Sequence, residues 1–209
     1  MVPDAPKHLT PRKRPRQARA AATLDAIFEA TLQVLLADGP ERLTTTRVAE
    51  RAGVSVGTMY QYFPHKQGLL YALNERYLFA LAERVEAQAL ACHGVAIAQM
   101  VESIVKTYWA AKMERPEVTR ALYRSVVELD NDALIEAFAR RVDAATEAML
   151  VTASDAAFTD LRTVNLTLLT TIFGAVRNVF ERDLPASEAH AVQHQLIIMC
   201  VAYLATVKS

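Results

Sequence analysis

LTTTRVAERAGVSVGTMYQYFPHK, residues 43–66, carries two short helical patterns on either side of a glycine-containing turn. The Thr44 hydroxyl can accept a free backbone N–H of a first helical turn, so a helix is expected over 45–52. Gly53 ends it, because glycine enters the left-handed conformation without a steric penalty. Val54 can then plug a core and Ser55 can cap a second helix over 56–63, stopped near Pro64. Val48, Ala49, Ala52, Val54, Met59 and Phe63 fall where they can close a small core, and the small Ala49 and Ala52 let two helices cross closely. Two short helices joined in this way form a helix-turn-helix. Val56, Gly57, Thr58, Tyr60, Gln61 and Tyr62 remain for the outer face, next to Lys66. Hydroxyls, an amide and one cation suit phosphates and base edges, which require donors and acceptors more than bulk charge. Tyr60 and Tyr62 read equally well as core or rim aromatics.

Upstream, Leu24, Ile27, Phe28, Thr31, Leu32, Val34 and Leu35 recur at helical spacing and predict a helix over 18–38, closed by Gly39-Pro40. Residues 1–18 precede it as a basic arm: within the first 19 residues Lys7, Arg12, Lys13, Arg14, Arg16 and Arg19 stand against Asp4 alone, with Pro3, Pro6, Pro11 and Pro15 interleaved. Such a segment does not sustain a long helix. It reads either as a solvated tail or as a counter-charge for phosphates.

The whole chain of 209 residues is formally neutral, with 23 basic and 23 acidic side chains. Divided after Lys66, it has 10 basic against 6 acidic residues in front and 13 against 17 behind, so a +4 segment is joined to a −4 segment. Neutrality therefore does not exclude a nucleic-acid partner. Alanine occurs 36 times and glycine 6 times, which favours an all-helical chain. No run of 18 uninterrupted apolar residues and no leader-type start is present, so neither a membrane span nor a secretory signal is expected. Cys92 and Cys200 form no paired or zinc-type spacing and read as packing residues in a reducing cytoplasm.

The segment from Leu43 to Lys66 strongly resembles the DNA-binding signature of the TetR family of bacterial transcription regulators. The resemblance is carried by the helix-two threonine, Val48-Ala49, Ala52-Gly53-Val54-Ser55, Gly57, Tyr60, Phe63 and Lys66. Two positions depart from the pattern: Arg47 stands where an acid would complete a capping box, and Tyr62 where many relatives carry histidine. The resemblance implies an all-α protein with an N-terminal three-helix DNA-binding domain over 19–66 and a larger helical effector-binding and dimerisation domain over 67–209, about nine helices in total. It implies a homodimer on a near-palindromic double-stranded operator, with Val56, Gly57, Thr58 and Gln61 facing bases and Thr44, Thr45, Tyr60, Tyr62 and Lys66 holding phosphates.

Beyond Lys66, helical patterns cover 66–93, 95–113, 117–128, 132–152, 157–181 and 188–206, the last capped by Ser187. Residues 164–176 and 196–205 are apolar on more than one face. They are expected to meet a second copy of the chain, although burial within one subunit also accounts for them. Met100, Tyr108, Trp109, Met113, Tyr123, Phe138, Asn165, Thr170 and Phe173 offer apolar walls with a few polar groups, ordinary core residues or the lining of a small-molecule effector pocket for a lipophilic or aromatic ligand. His190 and His194 share a helix face but have no third ligand in register, and no nucleophile elbow or phosphate loop occurs. No metal, cofactor or enzymatic activity is expected. The expected function is cytoplasmic, ligand-controlled transcription, with repression as the family default. Two alternatives stand beside it: a dimeric DNA-binding protein without an effector, and a helical ligand-binding or enzymatic protein that no longer binds DNA.

Overall fold

The computed structural model describes residues 18–125 and 131–209, with side chains from Ala20 onward, and among these residues every regular element is an α-helix. The nine described helices are α1 (Ala18–Asp38), α2 (Thr45–Ala52), α3 (Val56–Tyr62), α4 (Lys66–Ala91), α5 (Ile97–Met113), α6 (Pro116–Ser125), α7 (Asp132–Leu150), α8 (Leu161–Glu181) and α9 (Ala186–Val207). Residues 1–17 of the basic arm and the end of the helix expected over 117–128 lie outside the described residues, while Arg19 falls in the first turn of α1.

The chain divides into two compact units. The first takes in the described residues up to Leu78 together with those of Glu117–Glu136. It is larger than the expected 19–66 domain because α4 and α6 close its core. Leu69, Leu70 and Leu73 of α4 and Val118 and Leu122 of α6 pack with Ile27, Phe28, Val48, Met59 and Phe63. Polar contacts fix the same helices: the Tyr77 and Thr119 hydroxyls lie 2.9 Å apart, and Asn74 donates to Leu70 O at 3.0 Å.

The second unit, Phe79–Pro116 with Ala137–Ser209, is built from the end of α4, from α5, and from most of α7 with α8 and α9. Here three helix starts differ from the positions expected. α5 starts at Ile97 instead of residue 95, where Asp155 Oδ1 accepts from Ile97 N at 2.8 Å while Thr152 Oγ1 accepts from Gly94 N at 2.9 Å. α8 starts at Leu161 instead of 157, because Asp160 caps it by accepting from Thr163 N at 3.2 Å; hydrogen bonds from the Thr163 side chain and then its backbone N–H lower the Asp160 pKa. The expected Ser187 cap is corrected: α9 begins at Ala186 behind Pro185, which supplies no side-chain cap. Ser187 therefore lies within the first turn, where Glu188 complements the helix dipole.

By length and composition two described helical stretches, Ala20–Asp38 and Ala186–Val207, are apolar enough to cross a membrane, although polar residues interrupt both. In the first, the apolar face belongs to the core around Ile27, Phe28 and Leu35. The second is a different case, with only 17% of its most apolar stretch buried in the single chain.

Candidate nucleic-acid interface

α2 and α3 are eight and seven residues long, too short to be stable alone, so their caps and shared core must fix them. Thr44 Oγ1 accepts from Arg47 N at 3.2 Å, and Ser55 Oγ accepts from Thr58 N at 2.9 Å. Between them Gly53 takes φ 67°, and Val54 N donates to Ala49 O at 3.0 Å, the long bond of a Schellman turn. Val48, Ala49, Met59 and Phe63 are all fully buried beneath this turn.

Arg47, the departure from the capping box, has a structural partner. Its guanidinium meets Asp38 at 2.8 Å and donates to Arg42 O at 3.3 Å, tying the start of α2 to the end of α1. An exposed ion pair of this kind contributes about 0 to 1 kcal/mol. The Thr44 cap is the stronger contribution. Thr44→Ala should destabilise the first unit by about 1 kcal/mol, and Arg47→Ala by less than that, as read from urea unfolding midpoints.

The outer face of α3 carries Val56, Gly57, Tyr60 and Gln61, all exposed. Thr58 is half-buried and its hydroxyl lies 2.8 Å from Ser55 Oγ, so part of its hydrogen-bonding capacity serves the cap. Tyr62 is corrected from an outer-face to a core position: it is 5% exposed and its ring centroid is 6.4 Å from that of Phe63. Helical spacing explains this, since Tyr62 follows the fully buried Met59 by three residues. Thr45 is likewise buried at 8% exposure, while Thr44 is exposed and Lys66 is half-buried at the start of α4. His65, whose role the sequence reading missed, accepts from Gly68 N through Nδ1 at 3.1 Å and so caps α4 beside that lysine.

Gly57 is exposed within a helix, where glycine costs roughly 0.5 to 1 kcal/mol relative to alanine. A Cβ at this position would meet only Ser55 Oγ, at 3.7 Å, which is ordinary contact. Nothing inside the fold requires the glycine.

The expected effector residues divide between the two units. Tyr123 belongs to the first and the other eight to the second. Within the second, Tyr108 of α5, Phe173 of α8 and Phe138 of α7 form one aromatic run, with centroids 4.5 Å and 5.6 Å apart. Met100, Tyr108, Trp109, Phe138 and Asn165 are buried, and Met113 and Phe173 half-buried. Asn165 donates to Asp143 O at 3.3 Å, while its own Oδ1 is buried without a hydrogen bond. Thr170 is corrected to the solvent face of α8, in line with Leu166 and Gly174. The reading missed Lys112, which is only 2% exposed and holds its ammonium 5.5 Å from the Tyr108 ring centroid.

Comparison with known proteins agrees with this geometry. Residues 27–73 match the model described as bacterial regulatory proteins, tetR family, and residues 96–204 match the tetracyclin repressor-like C-terminal domain. The nucleoid occlusion factor SlmA of Haemophilus ducreyi is 34% identical over 96 residues, 46% of this chain and 46% of that protein. The HTH-type transcriptional repressor KstR of Mycolicibacterium smegmatis is 35% identical over 107 residues, 51% of this chain and 52% of the relative. The chain thus matches about half the length of these curated relatives. A crystal structure of a TetR transcription regulator from Haloarcula marismortui shares the fold with a TM-score of 0.70 at 19% identity, over 90% of this chain and 100% of that one. With its front matched to the tetR model and more than half its length to the repressor-like C-terminal model, the chain belongs to the TetR family.

Proposed function

We propose that the protein is a ligand-responsive transcriptional repressor, without enzymatic activity, that binds a near-palindromic operator in the cytoplasm as a homodimer. The observation that carries this reading is α3: a short helix capped at its start, pinned from beneath by Met59 and Phe63, and presenting Val56, Gly57, Tyr60 and Gln61 outward. Gln61 can read adenine bidentately, and Val56 can meet a thymine methyl. Thr44, Tyr60 and Lys66 hold phosphates, while the buried Thr45 contributes through its backbone N–H at the start of α2. Tyr62 supports this face from below.

Operator selection followed by binding titrations tests the assignment. Gln61→Ala should cost about 1 to 3 kcal/mol at particular base pairs and relax preference there. Lys66→Ala should weaken all sequences together and flatten the salt slope by about one. Indifference to both substitutions would return the protein to the class that no longer binds DNA. Gly57→Ala separates stability from function: the first unit should gain up to about 1 kcal/mol while operator affinity falls.

Dimerisation through α8 and α9 is supported by their uncovered faces. Leu166, Ile198 and Met199 are roughly half exposed, and Ala191, Gln195, Ala202 and Ala205 extend the stripe on α9. On α8 the Thr167 and Thr171 hydroxyls each return to a carbonyl of their own helix at 2.8 Å, which leaves methyl groups to cover the surface. Small, satisfied side chains permit close helix packing. An obligate interface buries roughly 2,000 Å² or more, which two such helices per subunit can supply. Ile198→Glu with Met199→Glu should yield monomers in sedimentation and lose cooperative operator binding.

A ligand can release the operator only by its differential affinity for two conformations. α4 contributes to both compact units, and tilting it is the proposed link.

A further inference from the structure

In the first unit α2, α3 and α4 each start behind a side-chain cap, supplied by Thr44, Ser55 and His65. Thr44 and Ser55 use a hydroxyl, whose oxygen accepts one backbone N–H of the first turn. His65 is half-buried and accepts from Gly68 N through Nδ1 at 3.1 Å. An imidazole nitrogen that accepts carries no proton, so the neutral ring holds its proton on Nε2. The ring therefore keeps a second polar edge, which a hydroxyl cap lacks. Nε2 makes no hydrogen bond among the described residues and does not belong to the buried polar atoms left without one, so it is open to solvent.

What surrounds this ring favours an anion. Lys66 follows it directly as the first residue of α4, a 26-residue helix whose start is its positive end. α3, with Tyr60 and Gln61 exposed, ends at Tyr62, three residues before His65. An aspartate at this position would cap α4 but repel a phosphate, and a serine would cap it without a donor left at that reach. A neutral imidazole does both. We propose that His65 is a phosphate contact of the operator interface: one edge of its ring caps α4, and the other donates a neutral Nε2–H hydrogen bond to the DNA backbone beside Lys66. This rests on the reading of α3 as the DNA-facing helix and adds a residue to that surface. Because the donor is neutral it displaces no counterion, which separates its salt signature from that of Lys66.

The test uses the full-length protein with its selected operator at about pH 8, above the ordinary histidine range. His65→Ser keeps an oxygen that can cap Gly68 N, so its melting temperature should match the wild type. Its operator affinity should fall about three- to tenfold, for matched and mismatched sequences alike. Its plot of log affinity against log salt should run parallel to the wild type, whereas Lys66→Ala loses about one unit of slope. Imidazole nitrogen NMR of the wild type reads the contact directly, the five histidines of the chain being told apart by the signal lost in His65→Ser. The free protein should show the Nε2–H tautomer at His65, and operator should shift that proton downfield and slow its exchange. A proton on Nδ1, or Nε2–H signals that operator leaves unchanged, overturns the proposal even where His65→Ser fails to fold. Wild-type affinity in a folded His65→Ser, or a slope reduced by about one, overturns it as well, the first leaving only a cap and the second a charged contact. Binding that ignores His65 but responds to Gln61→Ala and Lys66→Ala leaves the DNA-binding reading in place, while a wild type that binds no sequence removes both.

Discussion

Phe63→Ala is expected to destabilise the first unit by about 3 to 5 kcal/mol and, with it, to abolish operator binding. Phe63 is fully buried, with its ring centroid 5.9 Å from that of Phe28 on α1 and next to Tyr62. Its N–H donates to Met59 O at 2.8 Å, so it also closes the last turn of α3. A seven-residue helix has no stability of its own, and removing its largest buried ring leaves a cavity that α1 and α4 cannot fill. The second unit has buried apolar residues of its own, Val142, Leu168, Ile172 and Leu204 among them. Thermal unfolding followed by circular dichroism should therefore show an early transition absent from the wild type, with the remaining helicity lost later. A single unshifted transition would contradict the role given to Phe63.

The second large effect is a dependence of stability on pH, set by Lys112. Burial lowers its pKa from 10.5 to about 7 in the folded protein. Between these values the unfolded chain binds a proton that the folded chain does not, so stability rises with pH through this window. Below about 7 both states are protonated and the cost of the buried charge is constant. Cys200 opposes the trend at higher pH. Burial raises its thiol pKa from 9.0 to about 11, so the unfolded chain loses a proton first and stability falls above pH 9. The interval from neutrality to the onset of thiol ionisation therefore isolates Lys112. Urea unfolding should show the second unit gaining on the order of 2 kcal/mol from pH 7 to 9, with Lys112→Met flat over this range. A wild type that is flat from pH 7 to 9 would contradict the cost assigned to the buried ammonium.

Much of the helix-turn-helix is legible in the sequence because its determinants are local. Thr44, Gly53 and Ser55 act on backbone groups within a few residues, and each does in the structure what its side chain chemistry requires. The core positions Val48, Ala49, Met59 and Phe63 follow from helical spacing alone. The same spacing, applied strictly, also places Tyr62 below α3 and Lys112 on the buried stripe of α5. Residue type concealed both: a phenol and an amine suggest a surface, and only their neighbours decide otherwise. Thr170 was concealed in the opposite direction, since its place among apolar residues suggested burial while the face of α8 shared with Leu166 and Gly174 is open.

The sequence by itself determined an all-helical chain, the positions of most helix breaks and the helix-turn-helix, because helix propensity, capping and turn conformation are settled over a few residues. Tertiary structure alone decided that α6 completes the DNA-binding core, that Asp155 and Thr152 support the approach to α5 from about 58 residues away, and that Arg47 finds Asp38. These contacts join segments whose separation along the chain carries no local signal. The burial of Lys112 belongs with them, for the cost of a charge depends on how completely the surrounding helices exclude water, which no single helix can specify.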